Sequence, residues 1–185
     1  KRRATLLLRL ADTAARTADG DSIRLWANAE QLKDLDLALR HGAVGIGLFR
    51  TEFLYLDRHQ PPDEEEQFHS YTDAVKRMQG HPVTLRTLDI GADKQLPLGQ
   101  DPAEANPALG LRGIRLSLKF PDLFRTQVRA ILRAAVHGPV TMLLPMLGGP
   151  DDALRARALI REAEHAQLLA LKSHRSAALI GSPAG

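Results

Sequence analysis

Two short apolar runs each meet an arginine followed by a threonine: Gly45-Ile46-Gly47-Leu48-Phe49 leads into Arg50-Thr51-Glu52, and Val83-Thr84-Leu85 into Arg86-Thr87-Leu88-Asp89. Runs of this length and composition read as buried parallel strands. An arginine that is the first charged residue beyond such a strand must leave the sheet at its end. Two of them, on successive strands, would aim two planar guanidinium forks at one spot. That geometry suits a phosphate or carboxylate, which a guanidinium grips through paired hydrogen bonds. The pattern therefore predicts an anion-binding mouth for a small phosphorylated acid. Glu52 and Asp89 stand close enough in sequence to pair with these arginines and orient them.

The elements that must position these residues follow from periodicity and turn chemistry. Leucines at helical spacing predict a helix over residues 4–17, before a turn at Asp19-Gly20-Asp21. A first strand is expected over Ile23–Trp26, then a helix marked by Leu32, Leu35, Leu37 and Leu39 that closes at His41-Gly42. After the strand through Leu48, Asp63 is placed to cap a helix. Glu66 sits three residues on and acids crowd the first turn, so this helix should run to about Gln79 with Phe68, Tyr71 and Val75 inward. Val83–Leu85 is the next strand, followed by about twenty loop residues, 89–107, that include Asp93 and Lys94. Loops of that length usually serve function. A short helix over 108–118 would bear Arg112 and Arg115. A strong helix over Pro121–Ala135, a strand over Val140–Met146, a leucine-rich helix to about Leu171 and a last strand over Ala177–Ile180 complete the reading.

Strand and helix alternate four times with a fifth strand begun, the pattern of a parallel α/β fold. No G-x-G-x-x-G turn follows the first strand, which disfavours a dinucleotide-binding sheet. Doubly wound sheets and (β/α)8 barrels both fit the pattern; a full barrel takes roughly 250 residues and eight strands, of which about four to five units would be present here. The expected division is a linker helix over 1–20 and a partial barrel over 21–185. The chain has 185 residues, with 25 Lys+Arg against 22 Asp+Glu and no cysteine. The basic residues are scattered and aromatics are few, so no nucleic-acid surface is expected. The lack of cysteine excludes a disulfide framework and thiolate metal ligands and fits a reducing, cytoplasmic compartment. No apolar run approaches the roughly 18 residues of a membrane span. Lys1-Arg2-Arg3 ahead of Leu6-Leu7-Leu8 is not a signal peptide, because Arg9 and Asp12 interrupt it; with no initiating Met, a start inside a longer chain is expected.

Gly45–Asp57, Glu64–Phe68, Leu85–Pro97 and Asn106–Arg115 together closely resemble the phosphoenolpyruvate–protein phosphotransferases, the enzyme I family of the sugar phosphotransferase system. The resemblance implies a (β/α)8 barrel that binds phosphoenolpyruvate and Mg²⁺ at its mouth. It also implies passage of the phosphoryl group to a histidine on a mobile domain and then to the carrier HPr, in the service of sugar transport. On this likeness Arg50 and Arg86 fall on substrate-holding arginines and Arg112 on a third near the phosphoryl group. Glu52, Asp89, Lys94 and Arg115 become candidates for a supporting layer.

The likeness has departures. Ile180-Gly181-Ser182-Pro183-Ala184 is the best match to the family's Val-Glu-Thr/Val-Pro-Ala segment, with glycine where the metal-binding glutamate belongs. None of His41, His59, His69, His81, His137, His165 or His174 lies in a phosphohistidine setting. No metal ligand and no catalytic residue is therefore assigned, and Mg²⁺ is expected from the resemblance alone. An incomplete barrel would be inactive by itself, and its open edges could pair two copies as a homodimer. The alternative reading is a non-catalytic anion-binding or regulatory module.

Overall fold

The structure is a computed structural model and describes residues 10, 11, 13–91, 106 and 109–180, with side chains as far as residue 169. Four parallel strands lie side by side in chain order: β1 (Trp26–Ala29), β2 (Gly45–Phe49), β3 (Val83–Arg86) and β4 (Val140–Leu143). Helix α1 (Leu32–Arg40) joins β1 to β2, and α2 (Glu64–Arg77) joins β2 to β3. Helices α3 (Gly113–Lys119) and α4 (Pro121–Ala134) precede β4, and α5 (Pro150–Ile180) follows it. A doubly wound sheet reverses its strand order partway, because the chain returns to add neighbours on the other side. Here every crossover leads to the next position, as in a (β/α)8 barrel. The α/β architecture with a partial barrel, expected from the sequence, is the one observed.

The strands are held by the helices on one face. Val83 and Leu85 share a core with Tyr71, Ala74 and Met78 of α2 and with Ala130, Ile131 and Ala134 of α4. Val140 and Met142 pair in register with Val83 and Leu85 and pack against the same cluster. Thr84 and Thr141 alternate to the other face, where Thr141 is exposed. A second cluster, around Ile114, Phe124, Val128, Ala156 and Ala163, ties α3, α4 and α5 together. Asp63 caps α2 as the sequence predicts, its Oδ1 accepting from Glu66 N at 2.8 Å. Gly45 is required by close packing: a Cβ there would lie 2.6 Å from the Trp26 ring and 2.7 Å from Pro82 O.

Several sequence expectations are corrected. β1 begins at Trp26 rather than Ile23, because Ile23 N donates to Ala15 O (2.8 Å) and Ser22 pairs antiparallel with Arg16. The described part of the expected helix over 4–17 therefore belongs to a hairpin, closed where Thr17 N donates to Asp21 O (2.9 Å) and Gly20 takes φ +99°. Turn chemistry there outweighs the leucine spacing; the rest of that stretch lies outside the described residues. β4 stops at Leu143, short of Met146. Pro145 has no N–H to continue a ladder, its carbonyl accepts instead from Ile114 N (3.0 Å), and Met146 has φ +62°. The expected fifth strand at Ala177–Ile180 is helix: α5 continues through it, since no glycine or proline interrupts residues 151–180 and alanine and leucine favour the helix.

Candidate anion-binding site at the carboxyl ends of the strands

In a parallel sheet all carboxyl ends point the same way, so the residues just beyond β1, β2 and β3 form a rim. Ala29 pairs with Phe49 and Phe49 with Leu85, which sets Glu30, Arg50 and Arg86 abreast. Arg50 is anchored through its backbone N–H to Ala29 O (3.0 Å), and its guanidinium Nη1 pairs with Glu30 Oε1. Arg86 is held twice: Nη2 donates to Glu52 Oε1 at 2.8 Å and Nη1 pairs with Asp89 Oδ2 at 3.3 Å. Asp89 in turn accepts from Arg112 Nε at 3.0 Å, and its own backbone N–H donates to Glu52 Oε1 at 3.1 Å. Two carboxylates thus fix Arg86 and draw Arg112 toward it. The side chains of Glu52 and Asp89 are nearly covered, whereas Arg86 is 20% and Arg50 42% exposed.

The pairing leaves capacity. Arg50 Nε, Arg86 Nε and Glu52 Oε2 are buried and have no hydrogen-bond partner among the described residues. A buried donor without an acceptor is unfavourable by roughly 1–3 kcal/mol, so these atoms mark a place where polar interactions are incomplete. Each guanidinium has five N–H donors; the contacts named above engage one on Arg50 and two on Arg86. The rim can therefore accept an anion while its carboxylates keep the forks aimed.

The residues singled out from the sequence divide as follows. Arg50, Arg86, Glu52, Asp89 and Arg112 come together at one end of the sheet. Arg112 is the residue that caps α3 rather than part of the helix. Gly113, with φ +54°, lets the start of α3 press against the end of β4, where a Cβ would meet Pro145 O at 2.9 Å. Arg115 joins loop to strand end: its Nε donates to Gly110 O (2.8 Å) and its Nη1 to Met146 O (3.4 Å). Asp93, Lys94 and Gly181 lie outside the described residues. Glu30 was missed, because a first strand ending at Trp26 leaves it in a loop. With β1 ending at Ala29 it takes the same strand-end place as Arg50.

Sequence reasoning also missed the neutral side chains behind the rim. Thr51 Oγ1 donates to Arg86 O (2.9 Å) and accepts from Gln127 Nε2 (3.1 Å). Gln127 also donates to Tyr71 OH (3.0 Å) and accepts from Leu88 N (2.9 Å). Tyr71 and Tyr55 both donate to Gln67 Oε1, at 3.1 and 3.0 Å. Burial pushes both phenols up from their ordinary pKa. Glutamines on an otherwise apolar helix stripe, such as Gln67 and Gln127, were the available signal.

No group of three or more His, Asp or Glu that could hold a metal ion occurs among the described residues. Glu52 Oε1 and both Asp89 oxygens are engaged by Arg86 and Arg112, so the described residues do not fit a Mg²⁺ centre. Among the described residues no helix is long and apolar enough to cross a membrane.

A barrel-wound parallel sheet with polar side chains gathered at its carboxyl ends is the class of βα domain whose functional sites lie at that end. The family model described as PEP-utilising enzyme, PEP-binding domain matches residues 5–179, and the chain belongs to that family. Curated relatives named phosphoenolpyruvate-protein phosphotransferase agree. The one from Cupriavidus necator is 52% identical over 161 residues, 85% of this chain and 28% of the relative. That from Geobacillus stearothermophilus is 48% identical over 160 residues, 86% of this chain and 28% of the relative. That from Mycoplasma pneumoniae is 42% identical over 168 residues, 91% of this chain and 29% of the relative. The chain thus spans under a third of the length of the curated relatives it matches.

Proposed function

We propose that the rim binds phosphoenolpyruvate and that the chain supplies the substrate-holding part of a phosphoenolpyruvate–protein phosphotransferase. Arg50 and Arg86 grip the phosphorylated acid, Arg112 approaches its phosphoryl group, and Glu52, Asp89 and Arg115 hold these arginines and their loops in place. The observation that carries this reading is the placement of Arg50 and Arg86 abreast at one end of neighbouring strands with unspent Nε donors. The names of the relatives supply the substrate class.

In the transfer, the bond between phosphorus and the enol oxygen breaks as a bond to an acceptor histidine nitrogen forms, and the enolate leaves to be protonated to pyruvate. The guanidiniums stabilise charge on the oxygens of the transferring group, where fixed donors act most strongly. The acceptor histidine, the onward transfer to HPr and the role in sugar uptake belong to the whole protein that the resemblance implies. Isothermal titration with phosphoenolpyruvate tests the reading: saturable binding that is lost in Arg86→Ala is expected, and unaltered binding in that variant overturns it.

A further inference from the structure

We infer that Gln127, on α4, is a positioning residue for the arginine rim. The inference deepens the reading of that site as an anion-binding one and rests on it.

Gln127 is only 1% exposed, yet it is polar at a place where α4 otherwise presents Phe124, Val128 and Ile131 to the interior. Its one amide group joins the two loops that carry the rim. Oε1 accepts from Leu88 N, the residue just before Asp89. Nε2 donates to Thr51 Oγ1, the residue between Arg50 and Glu52. Thr51 Oγ1 then donates to Arg86 O, closing a ring from the β2 loop to the β3 end. The direction of these bonds is fixed. Leu88 N can only donate, so the oxygen of Gln127 must face it and the NH₂ must face Thr51 and Tyr71.

Tyr71 passes its own proton on to Gln67 Oε1, and Gln67 Nε2 donates to Pro62 O at 3.0 Å. Every member of this chain is satisfied, which makes a buried network rigid rather than costly. A hydrocarbon could fill the volume of Gln127. It could not accept from one loop and donate to the other at once, as the amide does. The spacing between the Arg50–Glu52 segment and the Arg86–Asp89 segment is thus referred to a helix that never reaches the rim.

The test uses the full chain with Gln127→Met, which keeps length and removes both bonds, beside Tyr55→Phe, which removes a bond to Gln67 and leaves the Gln127 bonds to Thr51 and Leu88 in place. Three readouts are taken: melting temperature, phosphoenolpyruvate affinity by calorimetry, and, without ligand, the NMR signals of the Asp89 backbone N–H and the buried Arg86 Nε–H. Gln127→Met is expected to shift both signals and to weaken affinity about tenfold. Tyr55→Phe is expected to lower the melting temperature and leave signals and affinity in place.

A Gln127→Met protein that melts earlier but keeps both signals and its affinity overturns the inference. If that variant does not fold, Thr51→Val, nearly isosteric, severs the Gln127–Thr51 bond together with the Thr51–Arg86 one and leaves Gln127–Leu88; unchanged signals and affinity in it likewise overturn the inference. Should the unaltered chain bind no phosphoenolpyruvate, the functional reading fails on its own, while the ligand-free signals still decide what Gln127 does.

Discussion

Among the described residues, two of the places where arginine meets carboxylate are built differently. On the outer side of α2 and α4, Arg133 holds Glu65 fork to fork at 2.6 and 2.9 Å and reaches Glu64 Oε1 at 2.9 Å. Its guanidinium carbon lies 4.0 Å from the centre of the Phe68 ring, and Arg129 Nε completes the cluster on Glu64 Oε2 at 2.6 Å. The hydrogen bond from Arg133 holds the Glu65 carboxyl below its usual range, and Glu65 pushes the Arg133 guanidinium up. At the rim the contacts named are single-point, the carboxylates of Glu52 and Asp89 are covered, and the Nε atoms of Arg50 and Arg86 find no acceptor among the described residues. The outer cluster is a closed clamp between helices; the rim is an arrangement with donors in reserve. Counting ion pairs barely separates the two, with four at the rim and three at the clamp. Asking which donors remain unused selects the rim.

The largest expected effect breaks the comparison at its centre. Arg86→Ala should lower phosphoenolpyruvate affinity about 10- to 100-fold, the loss of one charge-assisted grip. It should also destabilise the fold by on the order of 3 kcal/mol, because Glu52 is left covered without its cation and Asp89 keeps only Arg112. Calorimetry and denaturant unfolding read the two separately. Arg86→Ala with full affinity would move the site elsewhere.

The next effect tests the neutral layer behind the rim. The chain has two tyrosines, Tyr55 and Tyr71, both buried and both raised in pKa chiefly by desolvation. A free tyrosine ionises near pH 10. Above that pH the unfolded chain loses phenolic protons that the folded chain keeps, so stability is full below about pH 10 and declines as pH rises past it. Absorbance of phenolate is therefore expected to stay flat until the fold opens, then rise for both rings together. A tyrosine that titrates smoothly in the folded chain near pH 10 would mean that water reaches the Gln67–Gln127 layer.

Glu52→Gln sharpens the contrast between holding and binding. The amide oxygen still accepts from Asp89 N, but the charge that offsets Arg86 is gone. Stability should fall by about 1–2 kcal/mol as charge-assisted bonds become neutral ones, while anion affinity rises or stays level. A large loss of affinity would instead place Glu52 against the ligand.

Much of this was legible in the sequence, for reasons that differ from element to element. The apolar runs up to Phe49 and Leu85 were readable because a buried apolar run cannot include a guanidinium, and that alone placed Arg50 just beyond β2 and Arg86 as the last residue of β3. The start of α2 was readable because Asp63 and Glu66 satisfy a local geometry that no distant contact alters. The N-terminal hairpin was not. Its Arg16–Ser22 pairing depends on a turn that competes with leucine periodicity, and Ile23 looks like a strand residue either way. The Ala177–Ile180 stretch is apolar and short, where period alone cannot separate strand from helix. The Gln127 link joins residues 76 and 39 positions away in sequence, Thr51 and Leu88, and no local pattern announces such a contact.

The smallest expected effect lies at the clamp, and it completes the comparison by its modesty. Arg133 is partly exposed and Glu65 largely so, which puts the pair where solvent screens most of the Coulomb attraction. Arg133→Ala should therefore lower the melting temperature by only about 2 to 4 °C, much of it from lost packing on Phe68 rather than lost charge. Raising salt to about 1 M should shrink the ionic part further, since the screening length falls to about 3 Å. Phosphoenolpyruvate affinity should not change, because the contacts named for the clamp include no rim residue. If Arg133→Ala weakened binding as much as Arg86→Ala, the two sets of arginines would be acting through one another, and unused donors would no longer distinguish a site from a brace.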